Sequence, residues 1–329
     1  MSGNKMRSGW VDASRVFAML LIVLYHIPSS AFPAPEPSSI ACMVGAFFNH
    51  SGAALALFFL LAGYFTKQKW ILSKWLQRLL ALAIPYIIWN ILFAAGLRDE
   101  CSFSRIFGIG SVSGVCADYP LWFVRSLIFI TLLQPLWRFY PTIWLSVCIC
   151  FAYWGNSWHW DVLTYLPFPR PEDCCLFLLG VILSRFELNR LHKYIVFYIP
   201  VFILVYLLYP LCFECHFAVL SNLGMAIFIL SAFAFMEKFF QKAVCWVASL
   251  NKSCFLVYST HAGIIVVAGV VYHTYAESTD FSISSLYIPL VLAIYAANIA
   301  VYNILNKYIP WILPLIAHTG SLFHKKTKV

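Results

Sequence analysis

The first apolar run of the chain carries an imidazole and a guanidinium on one helical face. Arg15 and His26 are 11 residues apart, which is nearly three turns of an α-helix and a rise of roughly 16 Å. Asp12 precedes Arg15 by three residues and is therefore placed to pair with it. Ionisable groups within apolar helices usually face a cavity or a partner. The spacing predicts a polar passage with Arg15 near its inner end and His26 beyond its middle.

His26 has the side chain best suited to chemistry along this stripe. An imidazole with an ordinary pKa near about 6.5 is a base at neutral pH, and it can take a proton from a hydroxyl group. It is also a nucleophile that can carry an acyl group. The residues leave both routes open. Plainer roles compete with them: a packing hydrogen bond for His26 and an inner-surface anchor for Arg15.

Polar side chains in the later apolar runs extend this pattern. Arg125 lies close to the outer end of its run, where it can reach the interface or bind an anionic group. Tyr258 and His261 are three residues apart, so they share a face. Arg78 follows Lys74 at the inner end of another run. Such a basic cluster suits lipid headgroups or a phosphorylated ligand.

The elements that must position these groups are membrane helices. Of the 329 residues, 62% are hydrophobic and only 11% are charged, with a mean hydropathy of +0.82. Soluble domains carry about 25% charged residues, so this chain could not cover a water-facing surface. A spanning helix needs about 20 apolar residues, and the length accommodates roughly ten. We predict an all-α, polytopic bundle forming one domain over 1–329.

Hydropathy places ten segments along the chain. They lie near 13–32, 44–65, 79–97, 119–137, 142–154, 173–188, 194–212, 217–236, 253–272 and 284–304. The fifth and sixth are short, which indicates tilted, partly re-entrant or poorly delimited segments. With the N-terminus inside, inner loops and ends receive 18 of the 22 Lys and Arg residues. This bias follows the positive-inside rule and predicts that both termini are cytoplasmic.

Charge and cysteine content exclude several other classes. The net charge of +9 is spread over many short loops, which argues against a nucleic-acid-binding protein. Asp12, Arg15 and His26 interrupt the first run, so we do not interpret it as a signal peptide. Cys101 and Cys116 share an outer loop and could pair if that side is oxidising. Residues 212–216 match the C-x-x-C-H haem-attachment pattern, but a lone match in a chain with 11 cysteines is weak.

Five short motifs, in order and at matching depths, carry a resemblance to a known family. They are W-x-D-x-x-R with R-x10-H over 10–26, L-F-F-L-L-A-G-Y over 57–64, Arg78 with I-P-Y-x-x-W over 84–89, L-W-F-x-R over 121–125 and Y-x-x-H over 258–261. The chain resembles the integral-membrane acyltransferase-3 family over essentially its whole length. Ala62 stands where that family usually has serine, and the usual adjacent Arg pair is absent.

The resemblance implies an activity and roles for individual residues. Family members acylate sugars and envelope glycans, so it implies transfer of an acetyl group from acetyl-CoA to a carbohydrate hydroxyl at the bacterial inner membrane, with no metal. The implied roles are catalysis by His26 with Arg15, donor binding by Arg15, Lys74 and Arg78, acceptor binding by Trp122, Arg125, Tyr258 and His261, and support by Asp12 and Tyr64.

A transporter or flippase for a polar or lipid-linked solute is the alternative from a different class. A polar stripe through a ten-helix bundle would serve that function too. Transporters often contain matched broken helices in two related halves, and the sequence shows no matched Gly or Pro interruptions. Consumption of acetyl-CoA that depends on His26 would distinguish the enzyme from the transporter.

Overall fold

The computed structural model describes residues 9–30, 32, 36–47, 51–66, 71–96, 121–155, 169–186, 218–275 and 286–317, and within them the regular structure is entirely helical. The helices are α1 Gly9–Ser30, α2 Ile40–Phe47, α3 Ser51–Tyr64, α4 Leu72–Gly96, α5 Trp122–Leu132, α6 Gln134–Trp137, α7 Pro141–Gly155, α8 Pro171–Leu183, α9 Ala218–Phe239, α10 Gln241–Ser249, α11 Cys254–Tyr275, α12 Tyr287–Tyr308 and α13 Leu313–Ile316, with a 3-10 turn at Leu250–Ser253 between α10 and α11.

Within the described ranges, five helical stretches are long and apolar enough to cross a bilayer. They are Gly9–Pro28, Leu72–Gly96, Leu220–Phe239, Gln241–Thr274 and Tyr287–Tyr308, and they match the first, third, eighth, ninth and tenth predicted segments. Large apolar side chains point outward along them, such as Val267 at 65% and Leu292 at 55% exposure. An outer surface of this kind fits lipid better than water.

The remaining predicted segments are shorter or divided. In the second segment α2 ends at Phe47 and α3 begins at Ser51, and residues 48–50 lie outside the described residues. In the fourth segment α5 ends before Pro135, which has no N–H to continue the helical bonding. The 13 residues of α8 rise about 20 Å, less than the roughly 30 Å of a bilayer core. The seventh segment, 194–212, lies outside the described residues. Helix α10 was not predicted.

Helix α1 occupies the centre of the bundle. In its most apolar 18-residue window 72% of the residues are buried, against 28–44% in the other four long stretches. It packs on α2, α3, α9, α10, α11 and α12. Its first turn is held by α9, because the backbone N–H of Trp10 donates to Glu237 Oε1 at 3.2 Å. A carboxylate at a helix N-terminus satisfies a free N–H and complements the helix dipole. The helix that carries Asp12, Arg15 and His26 is therefore fixed at its start.

Two glycines bring α3 and α8 into backbone contact. A Cβ atom on Gly63 would overlap the carbonyl oxygen of Phe177, and one on Gly180 would overlap that of Leu60 and lie 2.8 Å from Tyr64 N. The obstructing atoms are backbone atoms, which cannot rotate away. Small residues permit close approach of this kind between membrane helices.

Gly180→Ala is expected to destabilise the protein because the added methyl group must push α3 and α8 apart. Overpacking of a tight contact typically costs about 1–3 kcal/mol. The matched control is Gly96→Ala, since a Cβ there meets no atom within 4 Å in the described structure. Thermal unfolding in detergent, followed by the loss of the monodisperse peak, measures both variants. Equal unfolding temperatures for Gly180→Ala and Gly96→Ala would refute the close contact between α3 and α8.

Candidate functional site

A cavity of about 690 Å³ lies at the end of the bundle where α1 begins. Polar and charged side chains of α1, α4, α10, the 3-10 turn, α11 and α12 line it, together with apolar rings of α3, α5 and α11. The polar members are Asp12, Arg15, Arg78, Ser249, Asn251, Lys252, Tyr258 and Tyr302. Three of these residues are cationic and one is anionic, so the cavity suits an anionic ligand with an apolar portion.

Arg15 reaches the cavity with its guanidinium oriented by two neighbours. Its Nη1 lies 3.3 Å from Asp12 Oδ1, which confirms the predicted pairing three residues apart. Asn251 Nδ2 donates to the same Oδ1 at 2.8 Å, and the guanidinium carbon lies 5.1 Å from the centre of the Phe65 ring. Part of the Arg15 charge is thus already balanced by Asp12.

Arg78 enters the cavity from α4 and is bound through neutral oxygens of Ala62 in α3 and of Thr66 just beyond that helix. Its Nη2 donates to the carbonyl of Ala62 at 3.2 Å, and its Nη1 donates to Thr66 Oγ1. Thr66 in turn donates to the Ala62 carbonyl at 2.7 Å. No carboxylate of the described residues pairs with Arg78. Its positive charge therefore remains available to an anion.

Position 62 is alanine where the family usually has serine, but a hydroxyl still lies beside Arg78. It belongs to Thr66, two residues beyond the end of α3. Sequence comparison at position 62 alone misses it. The spacing of four residues was the signal that could have identified Thr66.

His26 and His261 form a pair of imidazoles deep in the bundle. Their ring centres are 5.2 Å apart with an interplanar angle of 49°. His26 is 8% exposed and His261 is fully buried. The edge of the Tyr25 ring lies against His26, with ring centres 5.2 Å apart, and Tyr25 is 40% exposed. One side of His26 therefore faces the interior while the other adjoins an exposed ring.

The Tyr258 ring adjoins both the inner cavity and this pair. Tyr258 lines the cavity, and its ring centre is 6.0 Å from that of His261. Phe123 packs edge-on against Tyr258 at 5.9 Å. Among the described residues, the lining of this cavity contains Arg15, the inner end of the predicted passage, but neither imidazole.

The predicted acceptor residues Trp122 and Arg125 lie on α5, away from the inner cavity. The guanidinium of Arg170 covers one face of Trp122 at 4.6 Å. Arg170 is held by both carboxylate oxygens of Asp173, at 3.1 and 3.2 Å. That face of the indole is consequently occupied, and a sugar ring could stack only on the other. Arg125 is half-buried one turn further along α5.

Two other predicted residues lie outside the cavity. Lys74 is exposed on the first turn of α4. Tyr64 donates its hydroxyl to the Phe186 carbonyl at 2.9 Å, which connects α3 to the residues that follow α8. Sequence reasoning also missed Asn251, and it missed Lys252, whose ammonium lies 5.7 Å from the centre of the Tyr302 ring. Cys101, Cys116 and the C-x-x-C-H stretch at 212–216 fall outside the described residues.

A model of the acyltransferase-3 family, described as an acyltransferase domain, matches residues 8–307. No curated protein and no solved structure matches the chain.

Proposed function

The chain belongs to the acyltransferase-3 family, and from this premise we propose that it transfers an acetyl group from acetyl-CoA to a hydroxyl group of a carbohydrate. A surface polysaccharide or its lipid-linked precursor is the acceptor that the membrane setting favours. One observation carries the proposal: a buried His26 stands beside a second imidazole above a cavity lined by two arginines. A base and an anion site within one bundle suit transfer from a charged thioester.

The cavity supplies the donor site in this proposal. Phosphate groups of acetyl-CoA would bind Arg78 and Arg15, because a guanidinium makes charge-assisted hydrogen bonds to phosphate oxygens. Arg78 is the stronger candidate, since Arg15 already interacts with Asp12. The thioester would then point toward Tyr258 and the imidazoles. Lys74, which is exposed, would contribute only at the entrance.

His26 acts by one of two routes. In the first it removes the proton of the acceptor hydroxyl while that oxygen attacks the thioester carbon, and the CoA thiolate leaves and takes up the proton. In the second His26 attacks the thioester and carries the acyl group as an acyl-imidazole, which the hydroxyl then attacks. Both routes convert an alcohol and a thioester into an ester and a thiol.

The membrane topology is part of the same proposal. Ten spans with both termini in the cytoplasm would place the Arg15–Arg78 cavity at the cytoplasmic face of the bacterial inner membrane, where acetyl-CoA is made. The Lys and Arg distribution supports this orientation. Residues 1–329 would act as a single membrane domain, with the acceptor arriving from the outer or lipid-facing side.

Mass spectrometry of surface glycans tests the proposed function. Cells lacking the gene are expected to lose an O-acetyl group from a surface polysaccharide, and the reconstituted protein is expected to release CoA from acetyl-CoA when the de-O-acetylated polysaccharide is added. Unchanged glycans together with no CoA release would reject the enzyme. Uptake or flipping of a solute without CoA release would support the transporter instead.

A further inference from the structure

The tautomer of His261 is determined by two backbone carbonyls. Its Nδ1 lies 2.8 Å from the carbonyl oxygen of Tyr258 and 3.1 Å from that of Val257. A carbonyl oxygen only accepts hydrogen bonds, so Nδ1 must carry the hydrogen. In the neutral ring Nε2 then presents a lone pair and acts only as an acceptor.

Among the described residues, no hydrogen-bond donor reaches that lone pair. Nε2 is fully buried and has no hydrogen-bond partner among the described residues, although His26 lies at a ring-centre distance of 5.2 Å. Buried polar atoms in folded proteins nearly always have a partner. An unpartnered acceptor beside a candidate catalytic imidazole indicates a place for a donor group of a substrate.

We propose that His261 is a second catalytic residue, whose Nε2 accepts the hydrogen of the acceptor hydroxyl as that oxygen attacks the acyl carbon at His26. The assignment rests on the proposed acyl transfer, and it leaves His26 free for the second of its two routes. The two imidazoles then divide the reaction, with one carrying the acyl group and the other activating the alcohol.

The steps balance without any further reagent. The His26 nitrogen bonds to the acyl carbon, the carbon–sulfur bond breaks, and the thiolate leaves with the proton from the other His26 nitrogen. In the second half the hydroxyl proton moves to His261 Nε2, the oxygen bonds to the acyl carbon, and the bond to His26 breaks. His261 then returns the proton to His26, and both rings are neutral again.

A nucleophile that needs no base separates this role from a structural one. Hydroxylamine attacks acyl groups without prior deprotonation, whereas a sugar hydroxyl requires a base, which typically contributes 10²–10⁴-fold. The reconstituted full chain is given acetyl-CoA with either de-O-acetylated surface polysaccharide or hydroxylamine, and the uncatalysed reaction is subtracted. His261→Phe is expected to lose about 10²-fold or more in transfer to polysaccharide and to retain most of its transfer to hydroxylamine.

Two further variants make the outcome decisive. His261→Gln keeps a polar group of similar reach but no base, and it is expected to behave as His261→Phe does. It provides the same test if the Phe variant does not fold. Thr260→Val is the control, because it removes the Thr260–Asn298 hydrogen bond on the same helix and should keep both activities. If the His261 variants keep full transfer to polysaccharide, or lose transfer to both nucleophiles equally, the role of His261 is overturned but the proposed acyl transfer is not. A wild-type protein inactive with both probes overturns the proposed function as well.

Discussion

His26→Ala is expected to lower acetyl transfer by at least about 10²-fold, whichever of the two routes operates. If His26 is the base, it removes the proton of the alcohol hydroxyl while that oxygen attacks, and its loss leaves the alcohol a poor nucleophile. As an acyl carrier, it forms the intermediate itself, and its removal leaves no nucleophile. The measurement is CoA release by the reconstituted protein with de-O-acetylated polysaccharide as the acceptor.

Ser14→Ala provides the matched control for His26→Ala. Ser14 is a fully buried polar residue of α1 that donates to the Trp10 carbonyl at 2.7 Å, and its hydroxyl lies three turns below His26 on the same helix. The control should keep its activity within about twofold, because Ser14 touches neither the cavity nor the imidazoles. Wild-type rates in a well-folded His26→Ala protein would remove His26 from the mechanism.

Arg78→Ala is expected to raise the KM for acetyl-CoA by roughly 10- to 100-fold. Hydrogen bonds to charged groups contribute about 1.5–3 kcal/mol, which corresponds to that range at about 1.4 kcal/mol for each factor of ten. The fold should survive, because Thr66 continues to donate to the Ala62 carbonyl at 2.7 Å. Steady-state kinetics with varied acetyl-CoA, together with calorimetric binding of CoA, measure the effect.

Arg15→Ala tests whether Arg15 contributes less than Arg78 to the binding of acetyl-CoA, as the Asp12 carboxylate beside Arg15 indicates. Its guanidinium shares the Asp12 carboxylate, so its loss should raise the KM for acetyl-CoA less than the loss of Arg78 does. Arg78→Lys keeps the charge without the planar pair of donors, and it should fall between wild type and Arg78→Ala. An unchanged KM and CoA affinity in Arg78→Ala would place the donor phosphates elsewhere.

The local features of the site were predictable because helical geometry alone determines them. Asp12 and Arg15 are three residues apart on a continuous helix, and the structure pairs them as expected. The long apolar runs likewise became helices close to their predicted positions. Helix α10 was missed because Gln241 and Lys242 interrupt the apolar pattern between two stronger segments, so hydropathy indicated a loop.

The contacts that complete the site join distant parts of the chain and could not be predicted from spacing. His26 meets His261 and Asp12 meets Asn251 only because α11 and the preceding turn pack on α1. Sequence periodicity shows which residues share a face, but it does not show which helix that face will meet.

The backbone contact at Gly63 and Gly180 restricts how a hydrophobic acceptor can approach. Where two helices touch main chain to main chain, no gap remains for an acyl or polyprenyl tail to slip sideways out of the bilayer. At that depth the contact between α3 and α8 offers no lateral entrance for a lipid tail. Under the proposed function, a lipid-linked sugar would present its head group elsewhere, and Tyr25, which is 40% exposed and lies against His26, marks one such side of α1.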